Sequence, residues 1–168
     1  MKKVLKIYVL IVFFFAGTLI GTALVIKYES QNFKPWSWKS DPIILNCYGE
    51  DLNIDYIERS TKYWSNLNHD VAFIEQNPSS KICSKRFIDG FIILKKRNND
   101  PSTLAYTERK ILLGEIRAAT IYFSPGSFKL ENLIEHELGH AFGYTHIEEV
   151  GHIMHPTYEK MGNKFWIP

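Results

Sequence analysis

The distribution of apolar and polar residues divides the chain into short elements with two different periodicities. Short apolar runs bounded by Pro, Gly, Asn or Ser predict buried strands. These runs cover residues 42–47, 71–75, 87–95 and 117–124, and residues 104–108 form a further short extended piece. The pattern therefore predicts that most of these strands are buried in a sheet.

Two segments instead repeat apolar residues every three or four positions, which predicts amphipathic helices. The first covers residues 51–67 and brings to one face Ile54, Ile57, Thr61, Trp64 and Leu67. The second follows Ser127, a residue type suited to cap a helix, and packs through Leu130, Leu133, Ile134, Leu138, Ala141 and Phe142. The order β, α, β, β, β, α predicts an α+β fold in which helices back a twisted mixed sheet.

Residues 7–26 carry no charged side chain. A helix of this length spans about 30 Å, the thickness of a bilayer core. Lys2, Lys3 and Lys6 precede it, so residues 1–26 are interpreted as a cytoplasmic tip and a transmembrane anchor, with the remaining chain periplasmic or extracellular. The alternative is a cleaved signal peptide and a secreted protein, but the apolar block is longer than is usual for one.

Residues 27–41 show no steady period and are predicted to link this anchor to one domain of residues 42–168. Tyr28, Trp36 and Trp38 suit the headgroup layer of a membrane. Packing of the two tryptophans on the domain is the other interpretation.

The formal net charge of +2 comes from the N-terminal segment. Without Lys2, Lys3 and Lys6, the 20 basic residues become 17, against 18 acidic residues. A domain with this balance has no electrostatic attraction for nucleic acid, so no nucleic-acid partner is expected. We expect the domain to be a monomer.

The chain has two cysteines, Cys47 and Cys83. In an exported domain an even pair most simply forms a disulfide, whereas in the cytosol two buried thiols would be expected. Neither cysteine belongs to a CxxC motif, so neither indicates a redox or zinc-ribbon site.

The sequence HELGHAFGYTH begins at His136. His136 and His140 are four residues apart, so on a helix they share one face and can bind the same zinc ion. Gly143 takes a positive φ at little cost, which allows the chain to turn and return His146 as a third ligand. Glu137 is placed to hydrogen-bond a metal-activated water. Three protein ligands with one open position indicate a catalytic zinc site.

A methionine follows this motif at a characteristic distance. Met154 lies eight residues after His146, and Pro156 and Tyr158 follow it. The extended histidine motif with a downstream Met-turn resembles the metzincin metallopeptidases. The methionine spacing and the Pro-x-Tyr segment resemble, within the metzincins, the matrixin or matrix metalloprotease family.

The resemblance implies a zincin-type catalytic domain with an antiparallel edge strand and two main helices. It implies one catalytic Zn²⁺ bound by His136, His140 and His146. It further implies that Glu137 is the general base and that Met154 forms a hydrophobic floor beneath the zinc.

The resemblance also implies where a peptide substrate binds. Pro156 and Tyr158 would line the wall of the main specificity pocket. Residues 117–124 would be the edge strand along which the substrate lies, with Ala119, Thr120, Ile121 and Tyr122 at its centre.

Two positions bear on how far the family pattern extends. Ile147 stands where matrixins carry a serine after the third histidine. Asn98, Asn99 and Asp100 offer oxygen ligands for calcium, but without a spaced set of carboxylates they are interpreted as a solvated turn.

The sequence therefore predicts a membrane-tethered zinc endopeptidase that hydrolyses peptides or proteins. The alternative is a non-catalytic zinc-binding module, anchored to the membrane, that recognises a peptide or partner. An amidase acting on cell-wall peptides is a third interpretation. Glu137 favours an enzyme, because a binding module derived from a peptidase commonly lacks the base.

Overall fold

A computed structural model describes residues 34–97 and 103–166, which are built around one mixed sheet. Its six strands are β1 (Ser37–Trp38), β2 (Ile43–Cys47), β3 (Ile74–Gln76), β4 (Phe91–Lys96), β5 (Ala105–Leu112) and β6 (Glu115–Phe123). The order is β1-β6-β4-β2-β3, and β5 also pairs with β6. Neighbours run parallel except β5 and β6, which are antiparallel. Parallel strands are covered on both faces, which explains their continuous apolar runs.

Three α-helices accompany the sheet in the described residues: α1 (Ile54–Ser65), α2 (Ser80–Cys83) and α3 (Leu133–Ala141). The first lies inside the predicted range 51–67 and is capped by Asn53, whose Oδ1 accepts from the Asp55 N–H at 3.3 Å. The prediction that Ser127 caps the histidine helix is wrong. Ser127 begins a separate 3₁₀ turn, and its Oγ donates to the Leu104 carbonyl at 2.7 Å.

Helices α1 and α3 pack against each other through Trp64, a fully buried residue of α1. Its Nε1 donates to the Glu135 carbonyl at 2.7 Å, and its ring stacks on Tyr144 with centroids 5.3 Å apart. Truncating a buried aromatic residue of this size costs about 3–5 kcal/mol. Trp64 therefore fixes the depth and direction of the helix that carries the first two histidines.

The structure corrects the predicted identity of the edge strand. The segment from Ala119 to Phe123 pairs with β4 on one side and with β5 on the other. Strand β6, which contains residues 117–123 of the predicted segment 117–124, is therefore internal. The antiparallel strand beyond it is β5, which the sequence suggested only as a short extended piece at residues 104–108.

The segment 34–41, predicted as part of a linker, belongs in the structure to the folded unit of residues 34–166. Ser37 and Trp38 pair with the start of β6. Trp38 Nε1 donates to the Ala141 carbonyl at 2.8 Å, and the Arg109 guanidinium lies 4.5 Å from the Trp36 ring centroid. Of the two interpretations of these tryptophans, the structure shows packing on the domain.

The two cysteines form a disulfide, which confirms the predicted pair. Cys47 ends β2 and Cys83 ends α2, with a Cα–Cα distance of 5.4 Å. The bond ties the short helix to one end of a central strand.

Within residues 34–97 and 103–166, no helix has both the length and the apolar character needed to span a bilayer. The predicted anchor at residues 7–26, Tyr28 of the linker, and the loop of Asn98, Asn99 and Asp100 all lie outside the described residues.

Candidate metal centre and cleft

The three histidines of the motif converge on one point. One ring nitrogen from each histidine lies within 4.8 Å of the other two, and the Nε2 atom of His140 is 3.1 Å from the Nε2 atoms of both His136 and His146. His136 and His140 project from one face of α3, and His146 returns from the loop beyond it. Tetrahedral zinc with ligands at about 2.1 Å places neighbouring ligand atoms about 3.4 Å apart. The two distances of 3.1 Å from His140 Nε2 are close to that value.

Backbone carbonyls orient two of the rings. His136 Nδ1 donates to the Ile153 carbonyl at 2.8 Å, and His140 Nδ1 donates to the Tyr144 carbonyl at 2.9 Å. Because a carbonyl only accepts, each Nδ1 carries the proton and each Nε2 presents a lone pair. The short distance between these two Nε2 atoms is therefore not a hydrogen bond. Two nitrogen lone pairs that face each other at this separation are suited to binding one cation between them.

The surroundings keep the rings neutral, as metal binding requires. Burial lowers the pKa of His136 to about 4 and the pKa of His140 to about 3. Burial also lowers the pKa of His146. At neutral pH the donor set is three uncharged imidazoles, a set that suits Zn²⁺.

The bend between the second and third histidines depends on Gly143. Its φ is +106°, a backbone angle that residues other than glycine rarely adopt. A Cβ at this position would also overlap the Trp36 carbonyl oxygen. The chain then turns through Tyr144, whose carbonyl orients His140. The predicted role of this glycine in the turn agrees with the observed backbone.

Met154 is fully buried in the turn below α3. Its Sδ lies so close to Gly139 that a Cβ at this glycine would overlap it. Its N–H donates to His152 Nδ1 at 2.9 Å, and its carbonyl accepts from the Ile147 N–H at 3.0 Å. These bonds fix the turn whose Ile153 carbonyl holds the first histidine. Whether Met154 forms a floor beneath a metal stays a prediction.

Glu137 lies beside the histidines and is almost fully buried. Burial raises its pKa to about 7, and a hydrogen bond from Thr107 acts in the opposite direction. The Thr107 Oγ lies 2.6 Å from Glu137 Oε2. A carboxylate with a pKa near neutrality suits proton transfer.

These groups open into a cleft of about 740 Å³. One wall is strand β5, from Ala105 to Thr107 together with Arg109, and another is the segment after Met154. Both Pro156 and Tyr158 line this cleft, although their contact with a substrate stays a prediction.

The four residues predicted along the substrate strand are not part of this cleft. Ala119, Thr120 and Ile121 are fully buried, and Tyr122 is partly exposed and stacks on Tyr106. They lie in the internal strand β6, whose backbone is already paired on both sides. They therefore cannot bind a peptide through strand pairing.

Several residues that contact the site or its supporting loop could not be identified from the sequence. Arg109 Nη1 donates to the carbonyls of His140 and Tyr144 at 2.7 and 3.3 Å. His155, which the sequence left without a role, is buried and lines the cleft. His69 hydrogen-bonds the Tyr144 hydroxyl at 2.6 Å. Only tertiary packing brings these side chains to the site.

A helix with two histidines, a third after a glycine bend, and a buried methionine turn together define the metzincin class of zinc metallopeptidases. The domain therefore has a mixed α/β, metzincin-like fold. The chain belongs to the matrixin family, whose model matches residues 36–167.

Among solved structures, the chain is similar to high choriolytic enzyme 1, a hatching enzyme zinc-protease from Oryzias latipes, the medaka fish. The identity is 17%, the TM-score is 0.40, and the alignment covers 73% of this chain. The aligned part spans 54% of the fish chain. No curated protein sequence matches this chain.

Proposed function

We propose that this protein is a zinc-dependent endopeptidase. The observation that supports it best is a buried carboxylate, Glu137, beside three convergent imidazoles at the base of an open cleft. A zinc ion bound there would act as a Lewis acid, activating water and polarising the scissile carbonyl. His136, His140 and His146 would hold it.

Glu137 serves as the general base in this proposal. It accepts a proton from the attacking water and passes it to the leaving amine. Its burial favours this role, because a pKa near neutrality allows the carboxylate both to take up and to release a proton at physiological pH.

Strand β5 is the proposed substrate-binding edge. It pairs with β6 through one side and lines the cleft with residues 105–107 and 109. An extended peptide added to such an edge gains main-chain hydrogen bonds and places alternate side chains in pockets. Pro156 and Tyr158 would form the wall of one pocket.

The test is digestion of a mixed peptide library by the full chain, with zinc content measured in parallel. We expect internal cleavage that a chelator abolishes and added zinc restores. Glu137→Gln should keep stoichiometric zinc and lower kcat by about 10²–10⁴-fold, because only the base is removed. Bound zinc without any cleavage by the native chain would instead support the recognition module.

We also propose that residues 7–26 anchor the domain outside the cytoplasm. The disulfide between Cys47 and Cys83 supports an oxidising compartment. In intact cells, added protease should reach the domain while the chain stays with the membrane fraction. A cytosolic domain with reduced cysteines would contradict this proposal.

A further inference from the structure

Thr107 lies on strand β5, opposite Ile121 of β6, and its side chain contacts helix α3. Its Oγ is 2.6 Å from Glu137 Oε2 and 3.1 Å from the Glu137 backbone carbonyl. A threonine hydroxyl has one proton to donate, and a carboxylate is the stronger acceptor. The shorter contact therefore identifies the bond from Thr107 to the side chain.

This bond distinguishes the two oxygens of the carboxylate. Oε2 accepts from the hydroxyl, and Oε1 is the oxygen with no hydrogen bond to Thr107. Glutamate has three side-chain torsions, and catalysis requires the carboxylate within a narrow range of positions. Threonine suits the task because its branched side chain is stiff at χ1 and its backbone is fixed by strand pairing.

A second feature makes β5 a firm support. Arg109, two residues further on, projects from the same face and donates to the carbonyls of His140 and Tyr144. The same strand face therefore contacts the proposed base and the backbone that orients His140. This strand is tied to α3 at both ends of the histidine pair.

We propose that Thr107 is a positioning residue for the general base: its hydroxyl fixes the Glu137 carboxylate in the orientation that exchanges protons with the attacking water. The inference rests on the proposed peptidase function. It assigns to the substrate-binding strand a second task, alignment of the catalytic carboxylate.

The kinetic test compares Thr107→Val, which has nearly the same shape without the hydroxyl, with Thr107→Ser, which keeps it. We expect Thr107→Val to retain stoichiometric zinc and a KM within about twofold, while kcat falls about ten- to a hundredfold. Thr107→Ser should recover most of that loss. Thr61→Val is the matched control, because Thr61 donates to the Glu58 carbonyl within α1, away from the cleft.

A metal-free measurement tests the bond without using activity. In a double-mutant cycle of Thr107→Val and Glu137→Met, the unfolding free energies should be non-additive, because Glu137→Met removes the acceptor that the Thr107 hydroxyl contacts. If Thr107→Val does not fold, Thr107→Ala takes its place in both tests.

A kcat unchanged in Thr107→Val, or lowered no more than in Thr61→Val, would overturn the proposal, and so would additive unfolding energies. A native chain that cleaves no peptide would instead remove the proposed function, while the metal-free cycle would still report on the bond between Thr107 and Glu137.

Discussion

At the scale of single residues, the site is held by backbone carbonyls as much as by side chains. The carbonyls of Ile153 and Tyr144 accept from His136 and His140 and leave each Nε2 as a lone pair. Because both rings are buried, protonating them in the folded state is unfavourable. The site is thus arranged for a cation before one binds.

This arrangement makes the metal-free protein sensitive to acid. Burial lowers the pKa of His69, His136 and His140 to about 4, 4 and 3, well below the ordinary value of 6.5. Between pH 6.5 and 4.5 the unfolded chain therefore binds protons that the folded chain does not, so stability falls as the pH falls. Glu137 acts oppositely, since its folded pKa of about 7 lies above 4.5. Because three histidines lower the stability and one carboxyl raises it, the free energy of unfolding falls overall as the pH falls.

Urea denaturation with a chelator present, at pH 7 and pH 5, measures this effect. The midpoint should be lower at pH 5, and the difference should shrink in His69→Gln. An equal or higher midpoint at pH 5 would contradict the linkage.

At the scale of elements, β5 and α3 act as a pair. The Arg109 guanidinium bridges them, and it also packs on the Trp36 ring. Since the Tyr144 carbonyl accepts both from Arg109 and from His140, the arginine helps to fix a group that orients the His140 ring.

Arg109→Met keeps much of the side-chain volume but removes both hydrogen bonds. We expect zinc affinity to fall about ten- to a hundredfold, as for other groups that orient metal ligands. Competition with a chromophoric chelator measures it. Lys110→Met is the control from the same strand, because Lys110 pairs with Asp89 at a half-exposed position, where ion pairs contribute little. Equal affinities in the two variants would rule out this role for Arg109.

The elements also explain which parts of the fold could be predicted from the sequence. The histidine pair, the glycine bend and the methionine turn are encoded by short spacings, so the sequence was sufficient to locate them. Strand order is set by distant pairings, and the choice of β6 as the edge was wrong for that reason. The burial of successive residues from Ala118 to Ile121 is typical of an internal strand. The polar run Thr107, Glu108, Arg109 and Lys110 is typical of an edge.

At the scale of the whole molecule, the disulfide joins parts of the chain separated by 36 residues. In the chain-entropy description, a loop of this size stabilises the folded state by about 3–4 kcal/mol. Neither cysteine lines the cleft, so zinc affinity of the folded protein should not change.

Denaturant unfolding of the native chain and of a Cys47→Ser, Cys83→Ser double variant checks this prediction. We expect the double variant to lose about 3–4 kcal/mol of unfolding free energy. Unaltered stability, or a loss of zinc affinity in the folded double variant, would show that the disulfide acts differently.

The packing of residues 34–38 on the bend after α3 has a consequence for proteolytic trimming of the chain. Trp36 fills the space above Gly143, and Trp38 bonds the end of α3. A protease cut on the N-terminal side of Lys34 would leave a fragment that keeps both tryptophan contacts. A cut after Lys39 would remove both contacts, so the position of the cut decides whether the bend that carries His146 stays supported.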